Sequence, residues 1–227
     1  MDRTHRVALV TGAASGIGAA ICRRLAAPGM ALLVHTRANA AGAERSAAAA
    51  REAGAQAEVI LGDLADPDTP ASLVAGAVAR FGRLDVLVSN AGFADRTKLT
   101  DLTDADFARS LDAIPWAFLR LARAAAAHLR AGRDARVVAV SSFVAHAFRP
   151  DMTVFPASAA AKAGMEALVR ALAIELASGV TVNAVVPGFI RKDAGAHAAL
   201  DPAAFQRQIA RIPAGRIGLP EDVAAAV

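Results

Sequence analysis

The residues best suited to chemistry lie in short turns, and the first turn is the most informative. Thr11-Gly12-Ala13-Ala14-Ser15-Gly16-Ile17-Gly18 follows a short apolar run and opens a helical pattern. In that context Gly12 permits a tight turn, Gly16 lets backbone approach a pyrophosphate, and Gly18 lets the helix pack closely on a sheet. The helix N–H groups that begin at Ser15 and Ile17, with the positive end of the helix dipole, then face the phosphates. The next apolar run ends Val34-His35-Thr36-Arg37, with no acid to accept a bond from a ribose 2′-hydroxyl. Thr36 falls where that acid would stand, and Arg37 can pair with a 2′-phosphate through two charge-assisted bonds. The chemistry implied is dinucleotide binding with NADP(H) favoured over NAD(H).

These turns must be held by elements, and the sequence supplies them in alternation. Strand-like runs are predicted at Val7–Val10, Leu32–Val34, Val59–Leu61, Leu84–Ser89, Val137–Ser141 and Val180–Val186. Helical patterns fall between them, at Ile17–Ala27, Asn39–Ala53, Pro70–Phe81, Thr103–His128 and Ala157–Ala177. Short apolar strands that do not alternate are buried on both faces, so the expected class is α/β: a doubly wound, Rossmann-like parallel sheet in a single domain over residues 1–227. Pro115 interrupts the long fourth helix. It has no N–H to offer the Leu111 carbonyl, and a kink is expected there.

Bulk properties narrow the classes. The chain has 227 residues, 55% hydrophobic and 20% charged, which suits one well-packed domain and argues against disorder. The net charge is +4, but the arginines are scattered and aromatics are only 4%, so nucleic-acid binding is disfavoured. Cys22 is the only cysteine, which rules out an intramolecular disulfide and a cysteine zinc cluster. The amino terminus is polar and no apolar run is long enough to span a bilayer, so a cytoplasmic location with no membrane partner is expected.

The spacing Gly-x-x-x-Gly-x-Gly, with Thr11 in front, resembles the short-chain dehydrogenase/reductase family. The resemblance runs along nearly the whole chain. Asp63-Leu64 looks like the family's adenine-contacting pair, and Asn90-Ala91-Gly92 matches its Asn-Ala-Gly signature. Ser141-Ser142 ends the fifth strand, where the family keeps its catalytic serine, and Ser142 aligns with it. Pro187-Gly188 matches the Pro-Gly turn beside the nicotinamide, with Ile190 in the cofactor-contacting segment beyond. Gly215 to Asp222 resembles the entry to the family's last helix. The resemblance implies a nicotinamide-dependent oxidoreductase acting on a small carbonyl or alcohol substrate, and possible homo-oligomers.

The same resemblance exposes departures. The family has a Tyr-x-x-x-Lys pair, in which tyrosine is the proton donor and lysine binds the nicotinamide ribose. This chain has no tyrosine. Lys162 fills the lysine position and Ser158 stands where tyrosine would be. The resemblance also puts Ile114 at the position of an asparagine that supports a water relay. A serine hydroxyl is a far weaker acid than a phenol and falls short of the substrate by a ring. Two replacement acids are open: a water anchored by Ser158 and polarised by Lys162, or His146, four residues after Ser142. His35 could flank the 2′-phosphate and Lys192 could reach a phosphate. Residues 191–212 occupy the family's substrate-lid region, with His197, Leu200, Phe205 and Ile209 as pocket candidates. Phe143, Phe148 and Phe155 imply an apolar pocket. The chain stops at Val227 inside the expected last helix, so the family's usual last strand is expected to be missing, through natural shortness or truncation. The alternative to a reductase is a non-catalytic dinucleotide sensor or inactive partner subunit.

Overall fold

The computed structural model describes residues 6–150, 154–192, 206 and 209–227. Its strands are β1 (Arg6–Val10), β2 (Met30–Thr36), β3 (Gln56–Leu61), β4 (Val86–Ser89), β5 (Ala135–Val140) and β6 (Val180–Val185). They form one six-stranded sheet in the order β3-β2-β1-β4-β5-β6, and every pairing is parallel. This is the Rossmann-like doubly wound sheet. Its topological switch point lies between β1 and β4, where Val10 pairs with Val88 and the flanking connections run to opposite sides.

Residues 7–10 of β1 and 31–36 of β2 are buried without alternation, because helices cover both faces of the sheet. β3 is an edge strand, and its pattern alternates through exposed Gln56 and Glu58. The apolar signal predicts only Val59–Leu61, whereas pairing with β2 extends the strand back to Gln56. A polar outward face on an edge strand hides it from a reading based on apolar runs. β6 closes the other edge among the described residues.

The helices are α1 (Gly16–Leu25), α2 (Ala40–Glu52), α3 (Thr69–Phe81), α4 (Asp104–Leu111), α5 (Ala117–Arg130), α6 (Pro156–Glu175) and α7 (Pro220–Ala224). One apolar core lies between the sheet and α3, α5 and α6, centred on Leu9, Leu87, Phe118 and Met165. The other lies under α1, α2 and α7, with Ile21, Leu32, Val88 and Val223. Arg23 of α1 bonds Glu221 of α7 at 2.8 Å, tying the last helix to the first.

α4 and α5 are joined by a π-helical turn over Asp112–Trp116 that contains Pro115. There the Ala117 N–H reaches back five residues to the Asp112 carbonyl. Proline has no N–H to keep the ladder in register, so one residue is absorbed as a bulge.

The amino-terminal end of the sheet is pinned by Asp85. Its Oδ2 accepts from the Val7 N–H at 2.9 Å, its Oδ1 accepts from the Arg133 N–H at 2.9 Å, and Arg83 donates to both oxygens at 2.8 and 2.7 Å. Burial opposes its ionisation, yet Arg83 and the two backbone N–H groups hold its carboxyl below the usual value. The opposite end of the sheet, where the strands finish, is left for ligands. No helix among the described residues is long and apolar enough to cross a membrane.

Candidate active site

The Gly12–Gly18 turn sits at the carboxyl end of β1, and its glycines divide the work. Gly12 has φ +64°, and a Cβ there would lie 2.8 Å from Ala91 Cα. A Cβ on Gly18 would lie 2.2 Å from the Gly12 carbonyl oxygen, so helix and turn meet at backbone contact. A Cβ on Gly16 would meet nothing within 4 Å and would project into open space. Ser15 is the N-cap of α1, and its side chain makes no capping bond. Ile17 is half-buried in the first turn behind it. A helix start with a glycine opening and no side-chain cap is the cradle a pyrophosphate needs.

Thr11 locks this turn to the end of β4. Its buried hydroxyl accepts from the Asn90 and Ala91 N–H groups at 3.0 and 3.1 Å and donates to the Val88 carbonyl at 3.3 Å. Asn90 Nδ2 returns two bonds of 3.0 Å, to the Thr11 and Gly12 carbonyls. Asn90 therefore clamps the two strand ends together, and its neighbours Ala91 and Gly92 are held beside the first turn.

At the end of β2, His35 and Arg37 have different fates. His35 is 1% exposed, and its Nε2 donates to the Gly62 carbonyl at 3.0 Å. Burial pushes its pKa down, so it is a neutral packing residue rather than a phosphate ligand. Arg37 projects into solvent, 4.0 Å from the Asp63 carboxylate, while Leu64 is buried behind them. Arg37 and Asp63 thus stand together on the rim where the adenine half of a dinucleotide would lie.

The downstream residues converge on the end of β5. Lys162 of α6 is buried and donates from Nζ to the Val140 carbonyl at 2.6 Å. A Cβ on Gly92 would lie 3.4 Å from that Nζ, so the lysine sits directly against the Asn90-Ala91-Gly92 turn. Burial pushes the Lys162 pKa down to about 8, and the charge of Glu166 opposes the shift. Ser142 follows β5 and caps the short 3-10 turn Phe143–Ala145, its hydroxyl accepting weakly from the Val144 N–H at 3.4 Å. Ser158 is turned elsewhere. Its hydroxyl accepts from the Asp95 N–H at 2.8 Å and faces the Asp95 carbonyl at 3.5 Å.

The segment after β6 closes the site. The Pro187 carbonyl accepts from the Phe143 N–H at 3.0 Å, joining it to the serine turn. A Cβ on Gly188 would meet nothing within 4 Å. Ile190 bridges to Gly218 and rests its side chain there. Lys192 is exposed. Of the proposed lid, His197, Leu200 and Phe205 lie outside the described residues, while Ile209 is described and half-buried. A cleft beside the serine turn is lined by Phe143, Val144, Ala147, Phe148, Val154 and Phe155, with Arg149 among them. Phe143 also packs on Phe189, with ring centroids 4.6 Å apart.

One residue that the motifs do not flag belongs to this group. Glu166 is 7% exposed and accepts bonds from the Ser141 hydroxyl and from His146 Nε2, the latter at 2.9 Å. The signal was present in the pattern. Ser158, Lys162 and Glu166 recur every four residues on the buried face of α6, where apolar side chains are expected.

A six-stranded parallel sheet with a glycine cradle, an asparagine clamp and a buried lysine at its strand ends defines a dinucleotide-dependent oxidoreductase. Comparison with known proteins gives the family: the profile described as enoyl-(acyl carrier protein) reductase matches residues 12–227. The chain is 39% identical over 225 residues to cis-4-hydroxycyclohexanecarboxylate dehydrogenase of Sinomonas cyclohexanicum, covering 98% of this chain and 88% of that one. It is 34% identical over 228 residues to a 3-oxoacyl-(acyl-carrier-protein) reductase of Escherichia coli, covering 100% of this chain and 90% of that one. A short-chain dehydrogenase from Burkholderia cenocepacia, solved in complex with NADP, superposes with a TM-score of 0.88 at 35% identity, covering 99% of this chain and 89% of that one. The chain belongs to the short-chain dehydrogenase/reductase family and is an oxidoreductase of that family.

Proposed function

We propose that this protein is an NADP(H)-dependent oxidoreductase that interconverts a carbonyl compound and its alcohol. The observation that carries the reading is the placement of Lys162: a buried ammonium against the Gly92 turn and the Val140 carbonyl, at the carboxyl end of a parallel sheet. Bound there, NADPH supplies the hydride for the carbonyl carbon.

The chain's own residues do the rest. Gly12, Ser15, Gly16, Ile17 and Gly18 hold the pyrophosphate on the start of α1, where backbone N–H groups and the helix dipole favour negative charge. Arg37 pairs with the 2′-phosphate, and Asp63 with Leu64 flanks the adenine. Lys162, held against the Asn90-Ala91-Gly92 turn, would hold the nicotinamide ribose by hydrogen bonding. Pro187, Gly188 and Ile190 border the nicotinamide. Ser142, the cap of the turn whose Phe143 and Val144 line the apolar cleft, donates to the substrate oxygen. Positioning of the two reactants supplies much of the acceleration. An aromatic lining with an arginine among it suits a carbonyl on an apolar body.

The bond pattern of Ser158 favours one change in the mechanism. With its hydroxyl on the Asp95 backbone, it is a pin for the loop after β4 rather than an anchor for a catalytic water.

The test is NADPH oxidation across a carbonyl panel, with Lys162→Ala as control. The panel includes cyclic ketones bearing a carboxylate and 3-oxoacyl thioesters. Turnover that falls with Lys162→Ala supports the reading. NADPH binding without turnover across the panel would replace it with the non-catalytic sensor or partner subunit.

A further inference from the structure

Glu166 is the buried charged group that the roles above do not use. It lies one turn beyond Lys162 on the same face of α6. A carboxylate in such a place is costly without partners, and it has two. One is the hydroxyl of Ser141, the residue between the Lys162 acceptor Val140 and Ser142. The other is His146, whose Nε2 lies 2.9 Å from Oε1.

An ionised carboxylate only accepts, so this bond puts a proton on Nε2 and leaves Nδ1 for another partner. The His146 side chain is 54% exposed. It stands on the loop whose Phe143, Val144 and Ala147 line the cleft. An imidazole held by a buried carboxylate at one nitrogen, exposed elsewhere, and carried on a loop whose neighbouring residues line the cleft, is equipped to relay a proton from solvent. The other side of Lys162 is closed to that task. Ile114 is 2% exposed and apolar beside Gly92, and the Ser158 hydroxyl is held by Asp95.

We propose that His146 is the acid that protonates the substrate oxygen, and that Glu166 is the residue that positions it. The proposal rests on the reductase reading. As the carbonyl carbon gains hydride, its oxygen takes a proton from the imidazolium of His146, which is left neutral and is recharged from solvent. Glu166 stays ionised and makes or breaks no covalent bond. In alcohol oxidation His146 takes the proton instead.

The test uses the full chain as wild type, His146→Ala and Glu166→Gln, with NADPH and a carbonyl that the wild type reduces. The expected result for His146→Ala is a fall in kcat of about 10²-fold with unchanged NADPH affinity, reversed in part by added imidazole. Glu166→Gln is expected to lower kcat about 10-fold with a smaller change in KM. A second readout needs neither substrate nor cofactor: nitrogen NMR of the wild type should show His146 protonated on Nε2, and Glu166→Gln should mix the tautomers. Wild-type kcat in His146→Ala overturns the proposal and leaves the reductase reading standing, and so does a His146 ring that is not Nε2-protonated in the wild type. A wild type that binds NADPH but reduces no carbonyl overturns both.

Discussion

The two halves of the sheet's carboxyl edge are built on different terms. Around β1 and β4 the site is made of backbone and of hydrogen-bonded polar groups: Thr11 and Asn90 exchange bonds with the turns they join, and Gly12 and Gly18 are fitted to atomic contact. Around β5 and α6 it is made of buried charge. Lys162 is desolvated enough to bring its pKa to about 8, and Glu166 is held by a serine and a half-exposed histidine. The difference teaches where stability and function coincide. In the first half the contacts that hold the fold are the ones proposed to hold the phosphates. In the second half the groups that would do chemistry work against the fold.

Mutations can break this comparison, and the largest effect belongs to the first half. Gly18→Val drives a side chain into the Gly12 carbonyl and the Ala13 backbone. It should cost about 3 kcal/mol or more and abolish NADPH binding, as read by urea unfolding and by nicotinamide fluorescence. A stable, binding variant would mean that the turn is looser than its contacts imply.

Lys162→Met should do the opposite to stability. The lysine's folded pKa of about 8 lies below its ordinary 10.5, so burial costs the folded state most when both states are charged, below pH 8. There the variant should be more stable by up to about 3 kcal/mol, less whatever the Val140 bond contributes. The gain should shrink as pH rises from about 8 towards 10.5 and vanish beyond it, where both states of the wild type are neutral. The same variant should lose about 10²-fold in kcat/KM. Urea denaturation at a series of pH values, beside turnover, checks both parts. A variant that is less stable at neutral pH would contradict the division between the halves.

Two smaller effects sharpen it. Arg37→Ala should weaken NADPH about 10-fold and leave NADH nearly unchanged, because the role proposed for the exposed guanidinium is to pair with the 2′-phosphate, which NADH lacks. Isothermal titration of both nucleotides reads this directly. Ser158→Ala should cost about 1–2 kcal/mol by unpairing the buried Asp95 N–H, while kcat stays near that of the wild type. A large loss of kcat with unchanged stability would return Ser158 to the chemistry.

What the sequence reveals follows the same divide. The glycine turn, Asn90-Ala91-Gly92 and the alternation of strands and helices are legible because local backbone demands fix residue types there. The His35 and Arg37 pair is only half legible. His35 lies within a strand buried on both faces, whereas Arg37 lies just past the strand's last residue, Thr36, so the point where the strand ends decides between core and rim. The bond from Ser158 to Asp95 joins residues 63 positions apart, and the carboxylate of Glu166 finds Ser141 and His146 from 25 and 20 away. Such partners are set by how α6 lies on β5, which no local spacing encodes. The every-fourth-residue row of Ser158, Lys162 and Glu166 on an otherwise apolar face was the available clue.

The most direct test of the central claim is titration of the intact chain with NADPH and with NADH, followed by nicotinamide fluorescence. NADPH should bind saturably and at least about 10-fold tighter than NADH. Equal affinities would contradict the role given to Arg37, and folded protein that binds neither nucleotide would contradict the oxidoreductase mechanism built on this site.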